Sequence, residues 1–354
     1  MATCTFLRFG VKTILCLILL NMASCGTNCK KDCPEQPTFK AFAIPSNFPA
    51  NIAYMPEPTE KTVNLGKALF YDPMLSLDST IACSSCHQQS AAFAHDGHDI
   101  SHGVNNLLGN RNSPTIQNLA WMPTFFWDGG VGHLDLQPFG PIENPVEMAE
   151  NLNHLLHKLR RSPKYPDLFK AAFADVQDTS DISTAKMGVA LAQFMKMLVS
   201  ANSRYDKYIR GEGEVLTTSE RNGLQVFTQK CASCHSGELF TDYSFRNNGR
   251  PITSDSGRMR ITLNPADRYK FKVPSLRNIE KSAPYMHNGK LSSLTAVLNF
   301  YATNVENTPN LDPILNQNGV LGIPLTEAEK TDIIAFLRTL TDTEFLTDKR
   351  FAEQ

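Results

Sequence analysis

The chain has 354 residues, with 34 Lys and Arg against 35 Asp and Glu, for a net charge of -1. A balance this near neutrality, with no basic run, argues against nucleic acid as a partner. A hydrophobic share of 42% and a charged share of 19% are those of an ordinary soluble globular protein, and the length predicts about two domains.

Residues 1–24 read as a secretory signal peptide. Arg8 and Lys12 precede the apolar run from Ile14 to Leu20, which is too short to span a bilayer, and small residues lead to Cys25. Met22-Ala23-Ser24-Cys25-Gly26 has the form of a bacterial lipobox, in which Cys25 becomes the lipidated first residue; plain signal cleavage is the alternative. Either way the protein is expected outside the cytoplasm, in the periplasm or cell envelope. Cys29 and Cys33 can pair there in an oxidising compartment. Residues 25–58, rich in Pro, Lys and Asn, read as a tether.

Thr59 opens a predicted helix whose apolar side is Val63, Leu65, Leu69 and Phe70, and Asp72-Pro73 closes it. Further helices are expected over Glu147–Arg160, Ser183–Ile209, Ser219–Lys230, Ser293–Tyr301 and Glu327–Leu340. Thr217 with Glu220 and Thr326 with Glu329 have capping-box spacing. No stretch alternates as a strand does. The expected fold is mostly α-helical with long loops, divided near Arg210-Gly211-Glu212-Gly213 into residues 59–210 and 211–354.

Each half carries a CxxCH pentapeptide: Cys83-Ser84-Ser85-Cys86-His87 and Cys231-Ala232-Ser233-Cys234-His235. Two thiols separated by two residues can form thioethers to the vinyl groups of one haem, and the following imidazole can ligate its iron. A lone CxxC also fits a thiol redox pair or half a zinc site. Merging the four cysteines into one zinc site, however, would leave both histidines without a role. The reading is therefore two covalently bound c-type haems in two cytochrome-c-like domains. The halves resemble each other in sequence only around CxxCH.

Leu69-Phe70-Tyr71-Asp72, Gly109-Asn110-Arg111-Asn112-Ser113-Pro114-Thr115, Phe126-Trp127-Asp128-Gly129, Gln137 through Gly140-Pro141, and Glu147-Met148 mark the first half. Val273-Pro274-Ser275-Leu276-Arg277-Asn278 and Ala283-Pro284-Tyr285-Met286-His287-Asn288-Gly289 mark the second. Together, in this order, they resemble the bacterial dihaem cytochrome c peroxidase and MauG family from about Leu65 to Leu340.

The resemblance implies that the first haem, over His87, meets peroxide and the second, over His235, receives electrons. Glu147 falls on the family's distal glutamate and Gln137 on its neighbouring glutamine; read alone, Glu147 is an acid in the first turn of a helix. An acid-base group there would move a proton between the peroxide oxygens. Where the peroxidases place a distal histidine this chain has Val104, with His102 two residues earlier, so the first haem is expected to stand five-coordinate. His95 and His98 in the same polar loop read as solvent-exposed. Fourteen residues after His287, where the peroxidases have an axial Met, stands Tyr301, as in MauG; the alternative is packing by Tyr301 with Met286 or water on the iron.

Trp127 falls on the tryptophan between the haems, as a relay or as core, and Gly130 replaces a frequent Arg. Asn112 with the carbonyls of Ser282 and Pro284 matches a calcium site, or Asn112 is a turn residue. The expected activity is reduction of hydrogen peroxide with electrons from a small cytochrome c or copper protein; a lipid anchor and a homodimer are further expectations. The alternatives are a MauG-like oxidase acting on a protein or small molecule through a high-valent state, and a dihaem electron carrier.

Overall fold

Thr59 caps the first helix in the computed structural model, which describes residues 38–52 and 56–353. The predicted signal peptide, with Cys25, Cys29 and Cys33, lies outside the described residues. Helix α1 (Glu60–Phe70) buries Val63, Leu65, Leu69 and Phe70, the side expected from periodicity. Asp72 then turns the chain by accepting a hydrogen bond from the Met74 N–H.

Next come α2 (Cys83–Cys86), α3 (Phe139–Glu143), α4 (Leu152–Arg161), α5 (Tyr165–Ala172), α6 (Thr184–Lys196) and α7 (Arg204–Ile209). The second half follows with α8 (Thr218–Lys230), α9 (Met259–Thr262), α10 (Leu294–Thr303), α11 (Glu327–Arg338) and α12 (Thr343–Thr347). The extended structure among the described residues is slight: antiparallel β1 (Phe245–Arg246) and β2 (Phe271–Lys272), then β3 (Asn316–Gln317) and β4 (Val320–Leu321), with isolated bridges. No described helix is long and apolar enough to cross a membrane.

Two helix expectations are corrected. The helix expected from Glu147 begins at Leu152, because Asn151 caps it by accepting from the Asn153 and His154 N–H groups, and Ala149 stands at φ +54°. Glu147 therefore sits in a turn, not in a first helical turn. The helix expected over Ser183–Ile209 breaks after Lys196. There Asn118 captures the Leu198 carbonyl with its backbone N–H and brackets Ser200 with its side chain, and Ser203 starts α7 anew. The predicted tether is also more than a tether. It has no helix or strand over residues 38–52, but Phe48 packs edge-on against Trp121, whose indole N–H donates to the Pro49 carbonyl.

The same helix crossing is built twice. A Cβ on Gly66 in α1 would fall 1.9 Å from the Ala190 carbonyl oxygen in α6; one on Gly223 in α8 would fall 1.9 Å from the Asp332 oxygen in α11. Glycine lets the backbones touch where any side chain would separate them. The two halves are alike well beyond CxxCH, contrary to the expectation from sequence. Ser113–Gly130 recurs as Val273–Lys290: Asn118 and Asn278 are both left-handed, each starts a 3-10 turn, and Phe125 bridges Val131 as Tyr285 bridges Leu291. Phe126 and Met286, then Gly129 and Gly289, share positive φ.

The second half does not keep its own end. Phe345 and Phe351 join the first-half core, Tyr71 and Lys67 donate to the carbonyls of Phe351 and Arg350, and Gln89 donates to those of Phe345 and Asp348. Between the halves, Arg277 and Asp206 form a fully buried ion pair at 2.7 Å, with Phe48 stacked on the guanidinium. Gly66→Ala and Gly223→Ala are each expected to lower the unfolding free energy by about 2 kcal/mol through forced helix separation, read as a lower urea midpoint with an unchanged slope.

Candidate active site

Both CxxCH motifs open into one continuous cavity of about 880 Å³. The first motif forms the single turn α2; the second follows directly from the C-terminus of α8. His87 Nδ1 lies 2.7 Å from the Phe93 carbonyl, and His235 Nδ1 lies 3.2 Å from the carbonyls of Phe240 and of Pro274. Carbonyls at Nδ1 hold that nitrogen as the donor, leaving Nε2 as the free lone pair. Burial pulls the His87 imidazole down to about 4 and lowers His235 as well, which favours the neutral form of each ring. Cys83, Cys86, Cys231 and Cys234 are unpaired and line the same cavity. Two imidazoles and two thiol pairs at one largely apolar void fit two c-type haems.

Glu147 lines this cavity in the turn between α3 and α4. Desolvation raises its carboxyl above the usual range, opposed by the Asn144 side-chain N–H, which donates to Oε1 at 2.7 Å. Asn144 was missed from sequence; only its place three residues before Glu147, in an Asn-Pro turn, hinted at it. The Glu147 carbonyl accepts from the Val104 N–H at 2.8 Å, and a Cβ on Gly103 would meet that carbonyl at 2.3 Å. The loop after the first CxxCH is thus pressed onto the acid's backbone. Gln137 lines the cavity beside it.

Val104 is buried, whereas His102 is exposed and pairs through Nδ1 with the Asn106 amide oxygen at 2.6 Å. His98 is exposed as expected, but His95 is not: it is buried, with Nδ1 at 2.8 Å from the Ser101 hydroxyl. At the second motif, Tyr301 and Met286 do come together. The Asn248 side-chain N–H lies 3.3 Å from the Tyr301 hydroxyl and 3.4 Å from the Met286 sulfur. Burial raises the Tyr301 phenol above its ordinary value.

Trp127 stands at the seam, with its indole N–H donating to the Asn112 carbonyl at 2.8 Å. The adjacent Asp128 is fully buried and takes Arg111 from its own half and Arg260 from the other, each at 2.6 Å. Arg111 also pairs with Asp255 at 2.7 Å. Gly130 leaves room for Ile261, a residue away from Arg260, so guanidinium charge reaches this turn from the second half. The Asn112 amide N–H group donates to the His98 and Asp99 carbonyls, and Asn112, Ser282 and Pro284 all border the cavity.

A family profile described as di-haem cytochrome c peroxidase matches residues 60–214, and one described as cytochrome c matches residues 220–341. Methylamine utilization protein MauG of Methylorubrum extorquens is 36% identical over 286 residues, covering 80% of this chain and 78% of that protein. Cytochrome c peroxidase Ccp of Escherichia coli is 34% identical over 329 residues, covering 90% of this chain and 64% of that protein. The crystal structure of a MauG-like protein associated with microbial copper homeostasis superposes with a TM-score of 0.77 at 30% identity, over 87% of this chain and 97% of that one.

Because the fold favours the protonated form of Glu147, folding takes up a proton between the ordinary carboxyl pKa and the raised one. This contribution to stability is therefore lost as pH rises through that window. Asn144→Ala removes the opposing hydrogen bond and is expected to move the Glu147 titration further up, measured as the carboxyl stretch in infrared spectra; a downward shift or none refutes the assignment.

Proposed function

The chain belongs to the di-haem cytochrome c peroxidase family, and on that premise we propose that it reduces hydrogen peroxide to two waters with electrons from a small exported redox protein, a cytochrome c or a copper protein. Two c-type haems, held by Cys83, Cys86 and His87 and by Cys231, Cys234 and His235, supply the iron for peroxide and the centre through which electrons arrive.

The observation that carries this reading is a desolvated carboxyl, Glu147, in the cavity that His87 enters. One peroxide consumes two electrons and two protons, and its O–O bond breaks most easily if a proton moves to the departing oxygen. Glu147 takes that proton from the near oxygen and returns it to the far one, while Asn144 fixes the carboxyl. Gln137 borders the same space and orients the substrate. His102 borders the cavity, but it is exposed and its Nδ1 is engaged by Asn106, which supports a first iron with no histidine lid. Trp127 lies at the seam as the path between the halves.

Tyr301 would supply a ligand to the second haem's iron, with Asn248 orienting its hydroxyl and Met286 beside it. Asn112 Oδ1 and the carbonyls of Ser282 and Pro284 are oxygen donors suited to Ca²⁺. The functional halves divide at Gly211, with residues 343–351 returned to the first. Export ahead of a lipidated Cys25 would leave the enzyme tethered to the cell envelope.

Glu147→Gln is expected to lower peroxide turnover roughly 10²- to 10⁴-fold with both haems bound by absorption spectrum; retained turnover overturns the acid-base role. A thioether raises the potential where a phenolate lowers it. Tyr301→Met should therefore raise the second haem's reduction potential by on the order of 100 mV, read by spectroelectrochemistry, and an unchanged potential removes Tyr301 from the iron. Tyr301 and Val104 also favour a second reading, an oxidase of the MauG kind. It is distinguished by turnover on peroxide without a reduced cytochrome.

A further inference from the structure

Lys272 is a buried lysine that the reaction above leaves without a role. It lies on β2, in register with Phe245 on β1, whose ring occupies the space where Gly129 would carry a Cβ. Its backbone N–H donates to the Trp127 carbonyl at 2.7 Å, and its side-chain amine donates to the Thr124 carbonyl. One residue of the second half thus holds two carbonyls of the loop that carries the indole.

The internal repeat shows that this grip is one of a matched pair. Asn112 stands in the first half where Lys272 stands in the second, and Trp127 stands where His287 stands. The backbone bonds are exchanged accordingly: Asn112 N–H donates to the His287 carbonyl at 2.8 Å, as Lys272 N–H does to that of Trp127. Thr124 corresponds in turn to Pro284. The side chains differ, an amide on one side and on the other a buried amine, whose pKa burial lowers to about 7. Asp128 and Arg258 act on the amine electrostatically in opposite senses, and the two carbonyls that Lys272 engages both lie on the Phe125–Val131 hairpin or directly before it.

We propose that Lys272 is a positioning residue for Trp127, fixing the indole loop across the seam with its side-chain amine. The consequence for electron transfer rests on the reading of Trp127 as the path between the halves. The next residue, Asp128, is anchored separately by Arg111 and Arg260, and the indole by the Asn112 carbonyl; Lys272 is the residue that holds the Thr124 and Trp127 carbonyls on the segment leading into the turn.

The test uses the dihaem protein with Lys272→Met, which keeps the stem and removes the donor, and Lys272→Arg, which restores a donor. Hydrogen–deuterium exchange over residues 122–131 is expected to speed up roughly tenfold or more in Lys272→Met, with the CxxCH segments unchanged and Lys272→Arg close to wild type. Unchanged exchange there overturns the proposal, as does faster exchange throughout the chain, which would make Lys272 a general stability residue. Electron equilibration between the haems should slow in Lys272→Met, and the double variant with Trp127→Phe should be no slower than Trp127→Phe alone. Additive slowing overturns positioning through Trp127. If the exchange change is local but Trp127→Phe leaves equilibration untouched, the positioning stands and the relay reading fails.

Discussion

Two backbone hydrogen bonds exchanged across the seam, Asn112 N–H to the His287 carbonyl and Lys272 N–H to the Trp127 carbonyl, hold the two CxxCH halves in one register. Neither half could make its bond alone, because each donor finds its acceptor in the other. Trp127 adds a third bond through its indole N–H to Asn112, so the segment that precedes Ser113-Pro114 touches both halves at once. A shift at this seam would move the indole, the Asn112 amide and the loop over Glu147 together.

Charge is buried around this seam in closed sets. Asp128 is satisfied by Arg111 and Arg260, and Arg111 in turn by Asp255. Arg277 and Asp206 pair with no exposure, and Asn47 and Ser203 donate further hydrogen bonds to the carboxylate. Such pairs add little net stability, since desolvation offsets attraction, but removing one partner strands the other in a low dielectric. Each pair links separate segments of the chain. The site itself is arranged on the opposite principle. Glu147 has one amide partner and no cation, so its proton affinity is raised rather than suppressed.

The helices were legible where local rules acted alone. Thr59, Thr217 and Thr326 cap α1, α8 and α11 where their side chains and spacing predict. Helix ends failed where a distant residue competed for the backbone: Asn118 pulls Leu198 and Ser200 out of the helix expected there, and Asn151 moves the start of α4 past Glu147. The tether failed similarly. Its composition forecasts no helix or strand, correctly, but Phe48 and Pro49 are held by Arg277 and Trp121, which periodicity cannot reveal.

From the residues themselves came the two CxxCH sites, the largely helical character and the family motifs that single out Glu147, Trp127 and Tyr301, because thiol spacing and motif order are properties of the chain alone. The structure decided the rest: that both motifs share one cavity, that Glu147 lies in a turn under Asn144, that Tyr301 and Met286 meet at Asn248, and that the two halves repeat beyond their cysteines. In sequence the repeat leaves only a thin trace, Pro114, Asn118 and Gly129 against Pro274, Asn278 and Gly289, because its 3-10 turn and bridged hairpin are backbone features that unlike side chains can build equally well. Desolvation and contact across a seam arise only when distant segments exclude water together, and no local pattern records which segments those will be.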